Sequence, residues 1–204
     1  MKKLNIGIIG AGRIGKVHAK SIAYSVPGAK ILGITDVYKD GLQELCDLYG
    51  IERIYDDYKA MLADEEIDAV LVCSSSDTHA QIAIEAAQAG KHIFCEKPVD
   101  LTPEKVNAVI DACEKAGVKL QVGFNRRFDH NFAHVRELIN EGKIGNLEII
   151  KITSRDPAPP SPEYAAVSGG MFLDMTIHDF DMAAFLAGCP VTEDFMNKAM
   201  RLVI

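Results

Sequence analysis

Two rhythms of apolar and polar residues run along this chain. Residues 4–9, 29–35 (AKILGIT), 68–73 (DAVLVC), 92–95 and 118–122 are short, nearly continuous apolar runs. That is the pattern of strands covered on both faces. A shorter run at 51–55 reads as a further strand. Between the runs, helical spacing predicts helices over about 13–24, 41–48, 57–63, 78–89, 102–116 and 131–140. Punctuation agrees: Ser74, Ser75, Ser76 and Asp77 offer N-cap chemistry before the fourth helix and Gly90 closes it, while Thr102 and Pro103 open the fifth. Strand and helix alternate to about residue 140, which predicts an α/β domain over 1–123 with an open, doubly wound parallel sheet.

The rhythm then changes, so 124–204 reads as the start of a second, α+β domain. Residues 146–154 (NLEIIKITS) alternate polar and apolar, as a strand with one wet face does. Residues 156–162 (DPAPPSP) are too proline-rich for a helix interior. The segment 169–182, GGMFLDMTIHDFDM, has helical spacing but carries three aspartates and a histidine. At about 100° per residue, Asp174, His178, Asp181 and Phe185 share a narrow stripe, with Met175, Met182 and Leu186 on an apolar stripe beside it.

The turn after the first strand carries chemistry. Gly10-Ala11-Gly12-Arg13-Ile14-Gly15 is GxGxxG, placed between a strand and a helix, and Asp36 ends the second strand as the dinucleotide fingerprint requires. Gly10 allows the tight turn, Gly12 the approach of a pyrophosphate, and Gly15 close helix–strand packing. The helix N-terminus offers its free N–H groups to the phosphates. Asp36 accepts from a ribose diol and repels a 2′-phosphate, so the expected cofactor is NAD rather than NADP. A generic tight turn with Asp36 as a strand-end residue is the plainer alternative.

Residues 92–98 (HIFCEKP) end a buried strand in Glu96-Lys97-Pro98, at the carboxyl edge where open α/β sheets hold ligands. A lysine there donates to a substrate hydroxyl, whereas on the plainer reading it is a charged surface turn. Pro98 holds this turn, with a cis Lys97–Pro98 bond as one option. His178, one turn from Asp174, has the make-up of a general acid/base, and Asp181 is placed to orient its ring. Against this, Asp174 and Asp179 read equally as solvated helix residues and His178 as a structural histidine. His130 and His134 read as exposed surface, and no recognised metal-ligand spacing occurs.

Composition narrows the rest. With 48% apolar and 25% charged residues the chain has material for a full core. Its net charge of −7 gives no electrostatic case for nucleic acid or an anionic membrane. Cys46, Cys73, Cys95, Cys113 and Cys189 show no CxxC spacing and read as small buried hydrophobes in a reducing compartment. With no signal peptide or spanning stretch evident, the expected location is cytoplasmic.

With GAGRIG, Asp36, EKP and GGMFLDMTIHDFDM in this order, residues 1 to about 190 resemble the Gfo/Idh/MocA oxidoreductases. SRDPAPP at 154–160 followed by DMTIHDFDMA is most similar to the inositol 2-dehydrogenase branch. The resemblance implies a Rossmann domain followed by a substrate domain built on an antiparallel sheet. It implies NAD-dependent oxidation of a secondary hydroxyl of a cyclic polyol or sugar to a ketone. Lys97, Asp174 and His178 match the family's acting residues, with His178 taking the hydroxyl proton. Ser75, His79, Glu96 and Lys97 would lie along the cofactor, and Asn125, Arg126, Arg127, Asp156 and Asp181 near the polyol. A full-length version would be a homo-oligomer. Members normally continue into a large open sheet, so the chain is expected to be cut short. Its ending, DFMNKAMRLVI, departs from the family, as truncation or an altered reading frame would explain. A nucleotide-binding fragment or pseudoenzyme without turnover is the alternative.

Overall fold

The computed structural model describes residues 3–156, 158–162, 165 and 168–189. The chain falls into two compact units, Met1–Gly123 and Phe124–Ile204, each treated by itself below.

In the first unit six strands alternate with helices: β1 (Leu4–Ile9), α1 (Arg13–Ser25), β2 (Ala29–Thr35), α2 (Leu42–Tyr49), β3 (Arg53–Ile54), α3 (Tyr58–Leu62), β4 (Ala69–Val72), α4 (His79–Gln88), β5 (His92–Cys95), α5 (Pro103–Ala116) and β6 (Leu120–Val122). All pair in parallel, in the order β3-β2-β1-β4-β5-β6. The continuous apolar runs follow from this layering. In β4, Val70 and Val72 join one buried cluster with Ala83, Ala86 and Val109, while Leu71 joins the other with Ile8, Ile34 and Leu42. Successive side chains point to opposite faces and both faces are covered by helices, so no position of β4 is polar. Fully burying each Val, Leu or Ile contributes roughly 1.5–3 kcal/mol.

Order reverses between β1 and β4, because the chain winds outward through β2 and β3 and then crosses back. Their carboxyl ends therefore diverge into a crevice, and the loops after β1, β4 and β5 border it. At the sheet's β3 edge, Asp64 accepts from Tyr55 Oη at 2.5 Å and from the Arg53 guanidinium, and the buried Lys91 Nζ donates to the Asp64 carbonyl at 2.7 Å. These bonds hold the Asp64 carboxyl below its ordinary range, the Tyr55 hydroxyl first, then the Glu66 amide and Arg53.

Two cap expectations differ in detail. Thr102 occupies the N-cap of α5, but its hydroxyl and amide both donate to Asp100 Oδ1 instead of capping the helix. The serine-rich segment before α4 forms a 3₁₀ turn, Ser76–Thr78, in which Thr78 Oγ1 donates to the Ser75 carbonyl. Cys46, Cys73, Cys95 and Cys113 are buried as expected, but Cys189 is exposed.

In the second unit a 3₁₀ turn, Asn125–Phe128, leads into α6 (His130–Asn140), capped by Asp129 through the Asn131 amide at 2.9 Å. A five-residue π turn, Phe172–Thr176, precedes α7 (Ile177–Ala187), which closes on Gly188. The strand expected at 146–154 is not formed, and the described residues show no antiparallel sheet: 146–154 carry no ladder, and Ile149 is 84% exposed. A one-faced strand forms only against a neighbour that takes up its amides and covers its apolar side, and the described residues of this unit hold no strand to serve as one. The unusual ending at 190–204 lies outside the described residues. No helix among the described residues is long and apolar enough to cross a membrane.

Candidate active site

The loop after β1 is shaped by its glycines in two different ways. Gly10 has φ +99°, and a Cβ there would stand 2.6 Å from the backbone of Cys73 and Ser74. A Cβ on Gly15 would stand 2.0 Å from the Gly10 carbonyl oxygen. Packing therefore demands both glycines. Gly12 is different: a Cβ there would meet nothing within 4 Å. In front of it α1 begins with no side-chain cap and no acidic residue in its first turn, so its N–H groups face open space. Arg13 and Ile14 form that first turn and are exposed.

Asp36 closes the loop from the side, accepting from the Ala11 amide at 2.5 Å and the Tyr38 amide at 2.8 Å. A carboxylate has about four acceptor positions, so two remain for a diol. A free helix N-terminus, an open Gly12 and an acid at the end of β2 are what a dinucleotide requires, and these residues fit it.

The loops after β4 and β5 border the same edge. Glu96 Oε1 meets His18 Nε2 on α1 at 2.6 Å, and the His18 ring stands edge-on to Phe94 with centroids 5.0 Å apart. Burial, and then the Glu96 charge, pushes the Cys95 thiol up to about 12 and the Cys73 thiol higher still. These thiols stay neutral packing groups. Lys97 is half-buried, its bond to Pro98 is cis, and Ser75 is exposed. His79, expected along the cofactor, is instead enclosed. It is 2% exposed, with Nδ1 2.7 Å from the Pro98 carbonyl and Nε2 3.0 Å from the Ser74 carbonyl. Thus Gly10, Gly12, Asp36, Ser75, Glu96 and Lys97 all lie on loops at the carboxyl edge of one sheet, with Gly15 in the first turn of α1 beside them.

In the second unit Asp174 lies in the π turn and His178 in the first turn of α7, both half-buried. The His178 ring meets Phe124 edge-on at a centroid distance of 6.4 Å. The expected single stripe assumed 100° per residue throughout, and the π turn changes that ruler ahead of His178. The apolar side is as expected at Met182 and Leu186, both buried.

Arg126, Arg127 and Asp181, expected near a polyol, are partnered within the unit. Asp181 accepts Arg127 through Nε at 2.8 Å and Nη2 at 2.5 Å, and the guanidinium lies over Phe185 at 5.5 Å. The Arg127 guanidinium is held still more firmly protonated by this bond. Asp179 accepts from Arg126 Nη1 and from Ser154 Oγ at 2.6 Å. Asp179 is therefore a tie and not a solvated residue: both acids fasten the 125–128 turn, with Asn125 at its start, to α7. Asp156 is exposed.

Sequence reasoning missed His18, Ser154 and Arg136, whose Nη1 donates to the Leu186 carbonyl at 2.7 Å. For His18 a signal existed, since it lies one helical turn beyond Gly15. The other two are set by long-range packing. Among the described residues no group of three or more His, Cys, Asp or Glu gathers as a metal site. His134 is exposed beside Glu137.

Comparison with known proteins agrees with this geometry. Residues 4–124 match the model of an oxidoreductase family with an NAD-binding Rossmann fold, and residues 132–198 match the GFO/IDH/MocA C-terminal domain. The chain is 48% identical over 197 residues to a myo-inositol 2-dehydrogenase of Thermotoga maritima, covering 97% of the chain and 59% of that relative. It is similar to the crystal structure of a probable dehydrogenase from Thermotoga maritima, with TM-score 0.87 and 49% identity over 91% of the chain and 55% of the other. It is also similar to a scyllo-inositol dehydrogenase from Lactobacillus casei with bound NAD(H) and scyllo-inositol, with TM-score 0.79 and 36% identity over 92% and 57% of the two chains. The chain thus spans a little over half the length of the relatives it matches. With an NAD-binding Rossmann fold matched across its first unit and the family's C-terminal domain across most of its second, the chain belongs to the Gfo/Idh/MocA oxidoreductase family.

Proposed function

We propose that this chain carries the cofactor site and part of the substrate site of an NAD-dependent dehydrogenase that oxidises a secondary hydroxyl of a cyclic polyol, myo-inositol-like, to a ketone. The observation that carries the reading is the half-buried Lys97 on the loop after β5, on the same sheet edge as the open Gly12 and Asp36. The relatives named for myo- and scyllo-inositol support the substrate class.

On this reading residues 1–123 form the NAD domain and 124–204 begin the substrate domain. Asp36 binds the adenosine ribose through its remaining lone pairs, which favours NAD over NADP. His178 takes the hydroxyl proton, and Asp174 biases its ring toward accepting it. Lys97 donates to the hydroxyl oxygen and lowers the cost of its deprotonation. Bound NAD⁺ supplies the hydride acceptor, which is the cofactor's own chemistry. Arg126, Arg127, Asp179 and Asp181 keep the 125–128 turn on α7, so that Asn125 is presented to the polyol by a rigid element.

A second reading, a nucleotide-binding module without turnover, is favoured by the lack of an antiparallel sheet among the described residues. The test adds NAD and myo-inositol, scyllo-inositol or glucose and follows absorbance of the reduced cofactor. Lys97→Ala and His178→Ala should each lower turnover by about 100-fold or more while NAD affinity changes less than about threefold. Near-normal turnover in either variant removes that residue from the mechanism. NAD binding with no turnover for any polyol selects the second reading.

A further inference from the structure

His79 is held differently from its neighbours on the nucleotide side. It opens α4, its side chain is 2% exposed, and a backbone carbonyl faces each ring nitrogen. Carbonyl oxygens only accept, so each contact is a hydrogen bond only where the ring nitrogen carries the hydrogen; a neutral ring carries one, and the shorter contact, Nδ1 to the Pro98 carbonyl at 2.7 Å, takes it. With both nitrogens occupied by main chain, it has nothing left to offer a ribose or an amide.

The two carbonyls identify what the ring joins. Ser74 belongs to the loop after β4 and Pro98 to the loop after β5, neighbouring strands of the parallel sheet. The Ser74 loop is fixed at its far side by Ser74 Oγ against Thr78 Oγ1 at 2.7 Å and by the Thr78 amide on the Ser75 carbonyl at 2.9 Å. Lys97 lies immediately before Pro98. On its other side the Glu96 amide donates to the Val72 carbonyl at 3.0 Å, and the Glu96 carboxylate meets His18. Each chain neighbour of Lys97 is therefore tied to a histidine: Glu96 through its side chain and Pro98 through its carbonyl.

We propose that His79 is a positioning residue for Lys97: Nδ1 donates to the Pro98 carbonyl while the ring is packed against the Ser74 carbonyl, so that the Glu96–Pro98 turn presents the lysine in one place. This rests on the reading that Lys97 acts at the substrate carbon. A bond from Nδ1 to the residue after the lysine fixes where the lysine's stem leaves the backbone. Misplacement by about 1 Å at a reacting group costs on the order of 100-fold in rate.

Two substitutions separate the two sides of the ring. The Asn amide nitrogen falls near the place of Nδ1 and reaches Pro98, and the Gln amide nitrogen falls near that of Nε2 and reaches Ser74. In the full chain, His79→Asn should retain kcat within about threefold, while His79→Gln and His79→Ala lose about 10- to 100-fold in kcat with the Kd for NAD changed by less than about threefold. In a Lys97→Ala background, His79→Ala should cost nothing further, because a residue that acts through another falls silent when the other is gone. Hydrogen exchange should quicken at the amides of 96–100 in the Gln and Ala variants but not in the Asn variant, a readout that needs no turnover.

Unchanged exchange at 96–100 in His79→Ala overturns the proposal. So does an equal loss of kcat in the Lys97→Ala background, which marks a general folding role. A fall in NAD affinity in step with kcat assigns His79 to the cofactor instead. Full turnover in Lys97→Ala by itself removes the reading at the lysine, while the exchange data still decide whether His79 holds the turn.

Discussion

The glycine loop separates folding from binding within six residues, and two methyl groups test the separation. In Gly15→Ala the new Cβ would lie 2.0 Å from the Gly10 carbonyl oxygen. Ordinary contact begins at 3.4 Å, so backbone must move by more than an ångström, and no flexible side chain is there to yield. Overpacking of this kind costs about 1–3 kcal/mol. At roughly 3–5 °C per kcal/mol for a unit of this size, the melting temperature should fall by roughly 3–15 °C. In Gly12→Ala the methyl meets nothing within 4 Å, and the backbone at φ −66° and ψ −167° suits alanine. That variant should keep its melting temperature or gain slightly, since replacing glycine at a compatible site stabilises by about 0.4–1 kcal/mol through the unfolded chain. Yet it should weaken NAD by about tenfold or more, equivalent to about 1.4 kcal/mol, because the methyl occupies the path of the pyrophosphate. Thermal unfolding without cofactor and calorimetric titration of NAD read the two effects apart. If Gly12→Ala binds NAD with unchanged affinity, the pyrophosphate does not pass over Gly12. If it melts well below the parent, the open space in front of that residue is not real.

Asp36→Asn should narrow the preference for NAD over NADP by about tenfold, with the amide oxygen still able to accept from Ala11; equal affinities in the parent would show that Asp36 does not face the ribose. Asp64 gives a pH prediction, with the sign set by its lowered folded pKa, whose chief cause is the Tyr55 hydroxyl. Its stabilising contribution is complete above the unfolded pKa of about 3.9 and is lost as pH falls through the lower folded value, so the parent's stability advantage over Asp64→Asn should shrink steadily below about pH 4. Urea unfolding at a series of pH values checks this, and a constant gap between the two proteins would refute it.

The first unit was legible because its signals are local. Val70-Leu71-Val72 is apolar without a break since both faces of β4 are covered, and GAGRIG carries its own geometry in Gly10 and Gly15. What escaped depends on contacts between distant positions. Nothing near Asp179 announces Arg126, 53 positions earlier, or Ser154, 25 positions earlier. Nothing near His79 announces that Pro98 and Ser74 will occupy its ring. Residues 146–154 failed for another reason. Their alternation records which face prefers to be covered, but a strand exists only when a neighbour supplies the ladder.

The π turn at 172–176 makes chain length itself a variable of the site. A helix that widens for one turn stores one extra residue without disturbing the α segment that follows. Removing Met175 or Thr176 would take out that stored residue and let the turn close to α geometry, with Met182 and Leu186 still seated on α7. Leu173 would then stand four residues before His178, the place Asp174 holds now. A single-residue gap in this window therefore puts a hydrocarbon in place of an acid four positions before the histidine, although no letter of the motif has been substituted.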